Sequence, residues 1–308
     1  MFIKVPVSWI KKYVAKMDQK FLKSHKTFGN FSVKKDLAYI EDENKYHLLD
    51  ILCPVLGSEN GIVLFYIHGG AYLYGEKEAS RVFTSYFTNQ GFTVIAINYR
   101  LIDNSENVDF KSQIQDIFAA LDFIYQNKNY YGLKLDKFCL IGDSAGGHMA
   151  LMTDIIYHSK EAREYYGIKK LPPIDIKCLG LNSTMYDYEA LHKGSFRALS
   201  KKGVLKIFSK SALNPEYLKL NSPRYWIEEK SVKLEPIFNS TSLHDFFRDE
   251  SLKFKFSLTK RNYNLEHYFE PSVDKKIGHV FNHFEFAKEG KACNDAMIKF
   301  FKRHCNVE

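Results

Sequence analysis

Three runs of residues constrain this chain more than any other feature of it. Ile62-Val63-Leu64-Phe65-Tyr66-Ile67, Phe92 to Ile97 and Phe138 to Ile141 are unbroken stretches of β-forming, largely apolar side chains. Successive side chains on a strand point to opposite faces, so a strand that is apolar throughout must be covered on both. A parallel sheet flanked by helices meets that demand. Between the second and third runs, Phe110, Ile114, Ile117, Phe118, Leu121 and Ile124 lie on one stripe of a helix. Tyr46 to Val55, Ile176 to Leu181, Ile237 to Leu243 and Leu265 to Phe269 are further candidate strands. Lys291 to Arg303 forms a last candidate helix, with Cys293, Met297, Phe300 and Phe301 facing inward. Strands alternating with helices in this way predict a doubly wound α/β fold.

Two segments do not share that rhythm. Residues 188–234 hold short, weakly amphipathic pieces such as Gly203-Val204-Leu205-Lys206-Ile207-Phe208, and are longer than a simple connection requires. They are expected to form a helical insertion over one end of the sheet. Near the N-terminus, Ser8 can cap a helix whose apolar stripe is Ile10, Tyr13, Val14, Met17 and Phe21. The expected organisation is therefore a helical segment over residues 1–45, joining the cap, and one α/β domain over 46–308.

The formal charge of +8 invites a nucleic-acid reading, but only eight of the 44 basic residues are Arg. Base-edge and bidentate phosphate recognition lean on Arg. The lysines are dispersed among 36 acidic residues, which describes a solvated surface and no nucleic-acid partner. Five cysteines show no CxxC or metal-site spacing. Cys139 and Cys178 sit in apolar runs and are expected to be small core residues. An odd cysteine count, without a signal-like N-terminus, suggests a reducing, cytoplasmic setting. No uncharged stretch approaches a membrane span, so stable membrane insertion is not expected.

The chemistry concentrates at the ends of two predicted strands. Gly142-Asp143-Ser144-Ala145-Gly146 follows Phe138 to Ile141 and reads as G-x-S-x-G at a strand-to-helix turn. Such a turn holds a serine in a strained conformation with its hydroxyl exposed. His68-Gly69-Gly70-Ala71-Tyr72 ends the run Ile62 to Ile67. Alone, a glycine pair is most simply a turn. Beside a nucleophilic serine, the N–H groups of Gly69 and Gly70 can form an oxyanion hole, with that of Ala145 as a third donor.

Together HGGAY at 68–72, Asn98-Tyr99-Arg100-Leu101 and GDSAGGHMAL at 142–151 resemble the α/β-hydrolase superfamily, specifically the hormone-sensitive-lipase-like serine esterases. The likeness runs from about residue 60 to the C-terminus. It implies a mostly parallel sheet with a helical cap and a triad in the order nucleophile, acid, histidine. Gly278-His279-Val280-Phe281 resembles the family's G-H-x-F, which makes His279 the base and leaves His283 as runner-up. Asp245-Phe246-Phe247-Arg248-Asp249-Glu250 resembles its D-x-x-x-D-E, which makes Asp245 the acid and gives Asp249 a role at the following turn.

The sequence also departs from the family pattern. Ala71 replaces a third glycine, Ile102-Asp103-Asn104 replaces Ala-Pro-Glu, and Ser242 occupies a position that is commonly glycine. The resemblance implies a carboxylesterase for short to medium acyl chains, acting on a small-molecule ester with no metal or organic cofactor. Carbohydrate acetyl or feruloyl esterase, arylformamidase, peptidase and a non-catalytic binding role are the alternatives. The sequence leaves room for a homodimer and sets no oligomeric state.

Overall fold

A computed structural model of the chain describes residues 27–102, 108–188, 214–283 and 287–308. Its strands are β1 (Phe31–Ala38), β2 (Leu48–Pro54), β3 (Val63–Ile67), β4 (Thr93–Ile97), β5 (Phe138–Asp143), β6 (Ile176–Asn182), β7 (Ile237–Ser242) and β8 (Leu265–Glu270). They form one sheet in the order β1-β2-β4-β3-β5-β6-β7-β8. The pairs β1/β2 and β2/β4 are antiparallel, and every other pair is parallel.

Helices cover both faces, as the unbroken apolar strands demand. On one face Val63, Phe65 and Ile67 of β3 pack with Ile95 and Ile97 of β4. Their cover is α2 (Phe110–Tyr131), α3 (Ala145–His158) and α7 (Arg248–Lys260). On the other face Leu64, Tyr66, Val94 and Ile141 meet α1 (Arg81–Asn89) and α8 (Lys288–His304). The other α-helices among the described residues are short: α4 (Lys160–Tyr166), α5 (Pro215–Leu220) and α6 (Pro223–Glu228). All six residues of the stripe from Phe110 to Ile124 are buried. Asp109 caps α2 by accepting from Ser112 N, and left-handed Gly132 ends it. The last helix buries Cys293, Met297, Phe300 and Phe301 as expected.

The expectation of a helical segment over residues 1–45 needs correction, because residues 31–38 form the edge strand β1. Phe31 and Val33 start a period-two pattern that a bulge between Lys34 and Leu37 interrupts, with Asp36 at φ 54. Two lysines and the bulge hide the strand in the sequence, and the same features suit an exposed edge. The helix expected after Ser8 lies outside the described residues. Of the cap region 188–234, the described part contains α5 and α6; residues 189–213 lie outside it. Among the described residues no helix is long and apolar enough to cross a membrane.

The parallel strands point their C-terminal ends to one side, where open α/β sheets bind ligands. The loops leaving β3, β5, β7 and β8 carry Gly69-Gly70, Ser144, Asp245 and His279 respectively. The element order and topology are those of the α/β-hydrolase fold.

Candidate active site

Ser144 sits between the last residue of β5 and the first of α3, at φ 52 and ψ −117. An L-residue reaches this region only under constraint from its surroundings. The flanking glycines explain how the turn closes. A Cβ on Gly146 would lie 2.0 Å from the Ile67 carbonyl oxygen, and one on Gly142 would lie 2.5 Å from backbone atoms of Gly146. The turn is pinned from both sides, by Ser144 N donating to Asn182 O at 2.8 Å and His148 N donating to Ser144 O at 3.1 Å. Ser144 is left half-buried.

His279 and Asp245 meet this serine from two other loops. His279 Nε2 lies 2.9 Å from Ser144 Oγ, and Nδ1 lies 2.9 Å from Asp245 Oδ1. A carboxylate only accepts, so Nδ1 donates to Asp245 and Nε2 is left to accept from the serine hydroxyl. Asp245 also accepts from Phe247 N at 2.9 Å and from Thr241 Oγ1 at 3.0 Å. Burial pushes its pKa up, but hydrogen bonding and charge from His279, with help from Phe247 N and Ser183, outweigh burial and hold it below the ordinary value. The Phe246 ring stacks on the imidazole at 3.9 Å and Phe247 meets it edge-on at 5.4 Å. The runner-up, His283, lies elsewhere. It stacks on Phe83 at 4.1 Å with Nε2 3.6 Å from Asp143 Oδ1, and burial pushes its pKa down.

The strand that carries the acid is polar, and its side chains are tied into the loops. Ser240 donates to Asn182 Oδ1 at 2.9 Å, Thr241 to Asp245, and Ser242 Oγ to Gly278 O at 3.0 Å. The last bond joins the acid loop to the histidine loop at the position where a glycine is commonly found. Val280 N donates to Ser183 Oγ at 2.9 Å, fixing the backbone beside His279. Asp249 lies in the first turn of α7 and pairs with Arg248 at 2.9 Å.

Gly69 and Gly70 face the same turn. A Cβ on Gly69 would meet the Asp143 carboxylate at 2.2 Å, and Gly70 adopts φ +116 against the Tyr74 carbonyl. The N–H groups of Gly69, Gly70 and Ala145 have no hydrogen-bond partner among the described residues. The loop is anchored from behind, since Tyr99 stacks on His68 at 4.2 Å and its hydroxyl donates to His68 O at 2.7 Å. Asn98 Oδ1 accepts from Lys77 N at 2.7 Å, and Arg100 forks onto Asp116. The Asn98-Tyr99-Arg100 motif therefore braces the loop and does not reach the serine.

Ser183, Phe246 and the buried pair Tyr72–His148 are site residues that the sequence did not reveal. Tyr72 Oη lies 2.7 Å from His148 Nδ1, whose ring donates through Nε2 to Asn221 O at 2.9 Å. This network ties the glycine loop to α3 and to the residue between α5 and α6. His148 belongs to the motif that follows the serine, which is the one signal that could have drawn attention to it. A groove of about 640 Å³ beside α7, lined by Asp187, Arg224, Lys253 and Phe256 among others, does not include Ser144.

Comparison with known proteins places this arrangement. Residues 49–240 match the BD-FAE family profile. The alpha/beta-hydrolase-like protein R526 of Acanthamoeba polyphaga mimivirus is 26% identical over 187 residues, which are 60% of this chain and 51% of that protein. An arylesterase of Saccharolobus solfataricus is 30% identical over 107 residues, 34% of each chain. An acetyl esterase of Salmonella schwarzengrund is 29% identical over 102 residues, 33% of this chain and 31% of that one. The matched stretches thus span about half of the viral protein and about a third of each esterase. Among solved structures, esterase B of Lactobacillus rhamnosis superposes with a TM-score of 0.87 at 22% identity, covering 97% of this chain and 94% of that one. A bacterial heroin esterase superposes at 0.72 with 18% identity, covering 96% and 90%. These superpositions establish the shared fold, and the profile spans well over half the chain, so the protein belongs to the BD-FAE family.

Proposed function

We propose that the protein is a serine carboxylesterase in which Ser144 is the nucleophile, His279 the general base and Asp245 its orienting carboxylate. The observation that carries this reading is the unbroken relay from Ser144 Oγ through His279 to Asp245, with both links at 2.9 Å. A serine hydroxyl is a poor nucleophile at its own pKa, and an aligned imidazole removes the proton as the Ser144–carbonyl bond forms. His279 then returns that proton to the leaving alkoxide. Asp245, held ionised, keeps Nδ1 protonated and stabilises the imidazolium without taking the proton. The N–H groups of Gly69, Gly70 and Ala145 are the donors for the oxyanion, where removal of one donor typically costs about 3 kcal/mol of barrier lowering. Water attacking the acyl-Ser144 by the same route releases the acid. Every step uses protein groups and water.

The arylesterase and acetyl esterase relatives support ester substrates, as does a structure of esterase B inhibited by a C4-C4 tributyrin phosphonate. Short to medium acyl groups are the substrates of this proposal. Cytoplasmic residence belongs to it as well and is supported by five free cysteines. The test is turnover of p-nitrophenyl acetate and butyrate by the native protein and by Ser144→Ala. Loss of turnover and of fluorophosphonate labelling in the variant is expected; equal rates would rule the proposal out.

A further inference from the structure

Far from Ser144, three cysteines from different parts of the chain converge inside the protein. Cys139 near the start of β5 and Cys178 on β6 are register partners across parallel strands. Cys305 follows the last turn of α8. Cys139 Sγ lies 3.4 Å from Cys178 Sγ and 3.4 Å from Cys305 Sγ, and all three sulfurs fall within 4.8 Å of one another. Cys139 and Cys178 are fully buried and Cys305 is 3% exposed. The group lies toward the N-terminal ends of the parallel strands, opposite the loops that hold the serine, so the ester chemistry makes no use of it.

We propose that Cys139, Cys178 and Cys305 form a three-coordinate site for a soft, thiophilic cation, Cu(I). Three thiolates with metal–sulfur bonds of about 2.3 Å would stand about 4 Å apart in a planar site. The observed triangle, with two short sides and a third of at most 4.8 Å, needs only small side-chain adjustments to match. The donor set selects the ion. Thiolates prefer Cu(I), zinc or iron–sulfur clusters, whereas structural zinc takes four ligands. Among the described residues no fourth His, Cys, Asp or Glu joins this group.

Charge also fits, since Lys137 and Lys177 stand close enough to Cys305 for their charges to act on it. The three thiols release their protons to solvent as their bonds to the metal form, and the two lysines offset the resulting negative charge.

The reduced native protein is titrated with Cu(I) under nitrogen against a chromophoric Cu(I) chelator, and sulfur neighbours are counted by X-ray absorption. One tightly held equivalent per chain with three sulfur neighbours is expected. Cys178→Ser should hold Cu(I) more than about a hundredfold less tightly, exceeding the roughly 10–100-fold effect typical of outer-shell changes. Cys53→Ser, which alters a cysteine outside the group, should bind as the native protein does. Failure of the native protein to retain Cu(I), fewer than three sulfur neighbours, or equal affinity in Cys178→Ser would overturn the proposal. If Cys178→Ser does not fold, the stoichiometry and sulfur count of the native protein decide the question.

Discussion

Asp245 is held by donors on three sides, from His279 Nδ1, Phe247 N and Thr241 Oγ1. Its pKa is held below the ordinary carboxylate value, so it is ionised at neutral pH. Replacing it with Asn preserves the shape while permitting the amide to donate toward Nδ1, which selects the wrong imidazole tautomer. Asp245→Asn should lower kcat for p-nitrophenyl butyrate by roughly 10³–10⁴-fold with little change in the urea midpoint. A loss below tenfold would remove Asp245 from its assigned role. Ser242→Gly deletes the bond to Gly278 O and should cost about 1 kcal/mol in urea unfolding, with a lower kcat as the two loops loosen. An unchanged midpoint would mean that the bond contributes nothing. Ser144, Asp245 and His279 were legible because each lies in a recognisable pattern after a strand. Ser183 and Phe246 were not, since their contributions are a hydrogen bond and a ring stack made across loops distant in sequence.

The turn between β5 and α3 works at the scale of elements because two backbones approach too closely for a side chain. Gly146→Ala would drive a Cβ against Ile67 O at 2.0 Å and His68 O at 2.5 Å, both immovable backbone atoms. To relieve this, α3 must withdraw from β3, taking the Ser144 turn away from the glycine loop. We expect a loss of about 3 kcal/mol in urea unfolding together with a large fall in turnover. Full activity at native stability would refute this account of the turn. The sequence announced this element because glycine spacing records the clash directly. The parallel strands were equally plain, being apolar on both faces. β1 escaped notice because only one of its faces needs apolar residues and the bulge at Asp36 breaks their alternation. The short helices α5 and α6, each six residues long, are stabilised by packing more than by their own periodicity.

At the scale of the whole molecule, the histidines that the fold keeps neutral set its response to acid. Burial holds His148 down to about 3, and burial with the charge of Lys255 holds His267 down to about 4. His68, His283 and His304 are lowered by burial as well. The unfolded chain takes up these protons near pH 6.5. A lowered folded-state pKa therefore contributes stability that is complete above about pH 6.5 and is lost as pH falls toward the folded value. His47 and His158 act in the opposite sense, because carboxylate partners raise their pKa values and their contribution fades as pH rises. Among the described residues five groups against two give a net loss on acidification. The urea midpoint should fall steadily from pH 7 to pH 5. His148 is the cleanest single contributor, being fully enclosed between Phe110, Tyr72 and the Asn221 carbonyl. His148→Phe keeps the stack on Phe110 but removes the proton site. The variant should be less stable at pH 7, since the bonds His148 makes with Tyr72 and Asn221 are lost, yet its stability should fall less steeply with acid. The slope between pH 6 and pH 4 should be shallower by about 1 kcal/mol per pH unit, close to the limit for one titrating group. Parallel curves for the native and variant proteins would show that His148 is already protonated in the folded state, against the enclosure that its partners describe.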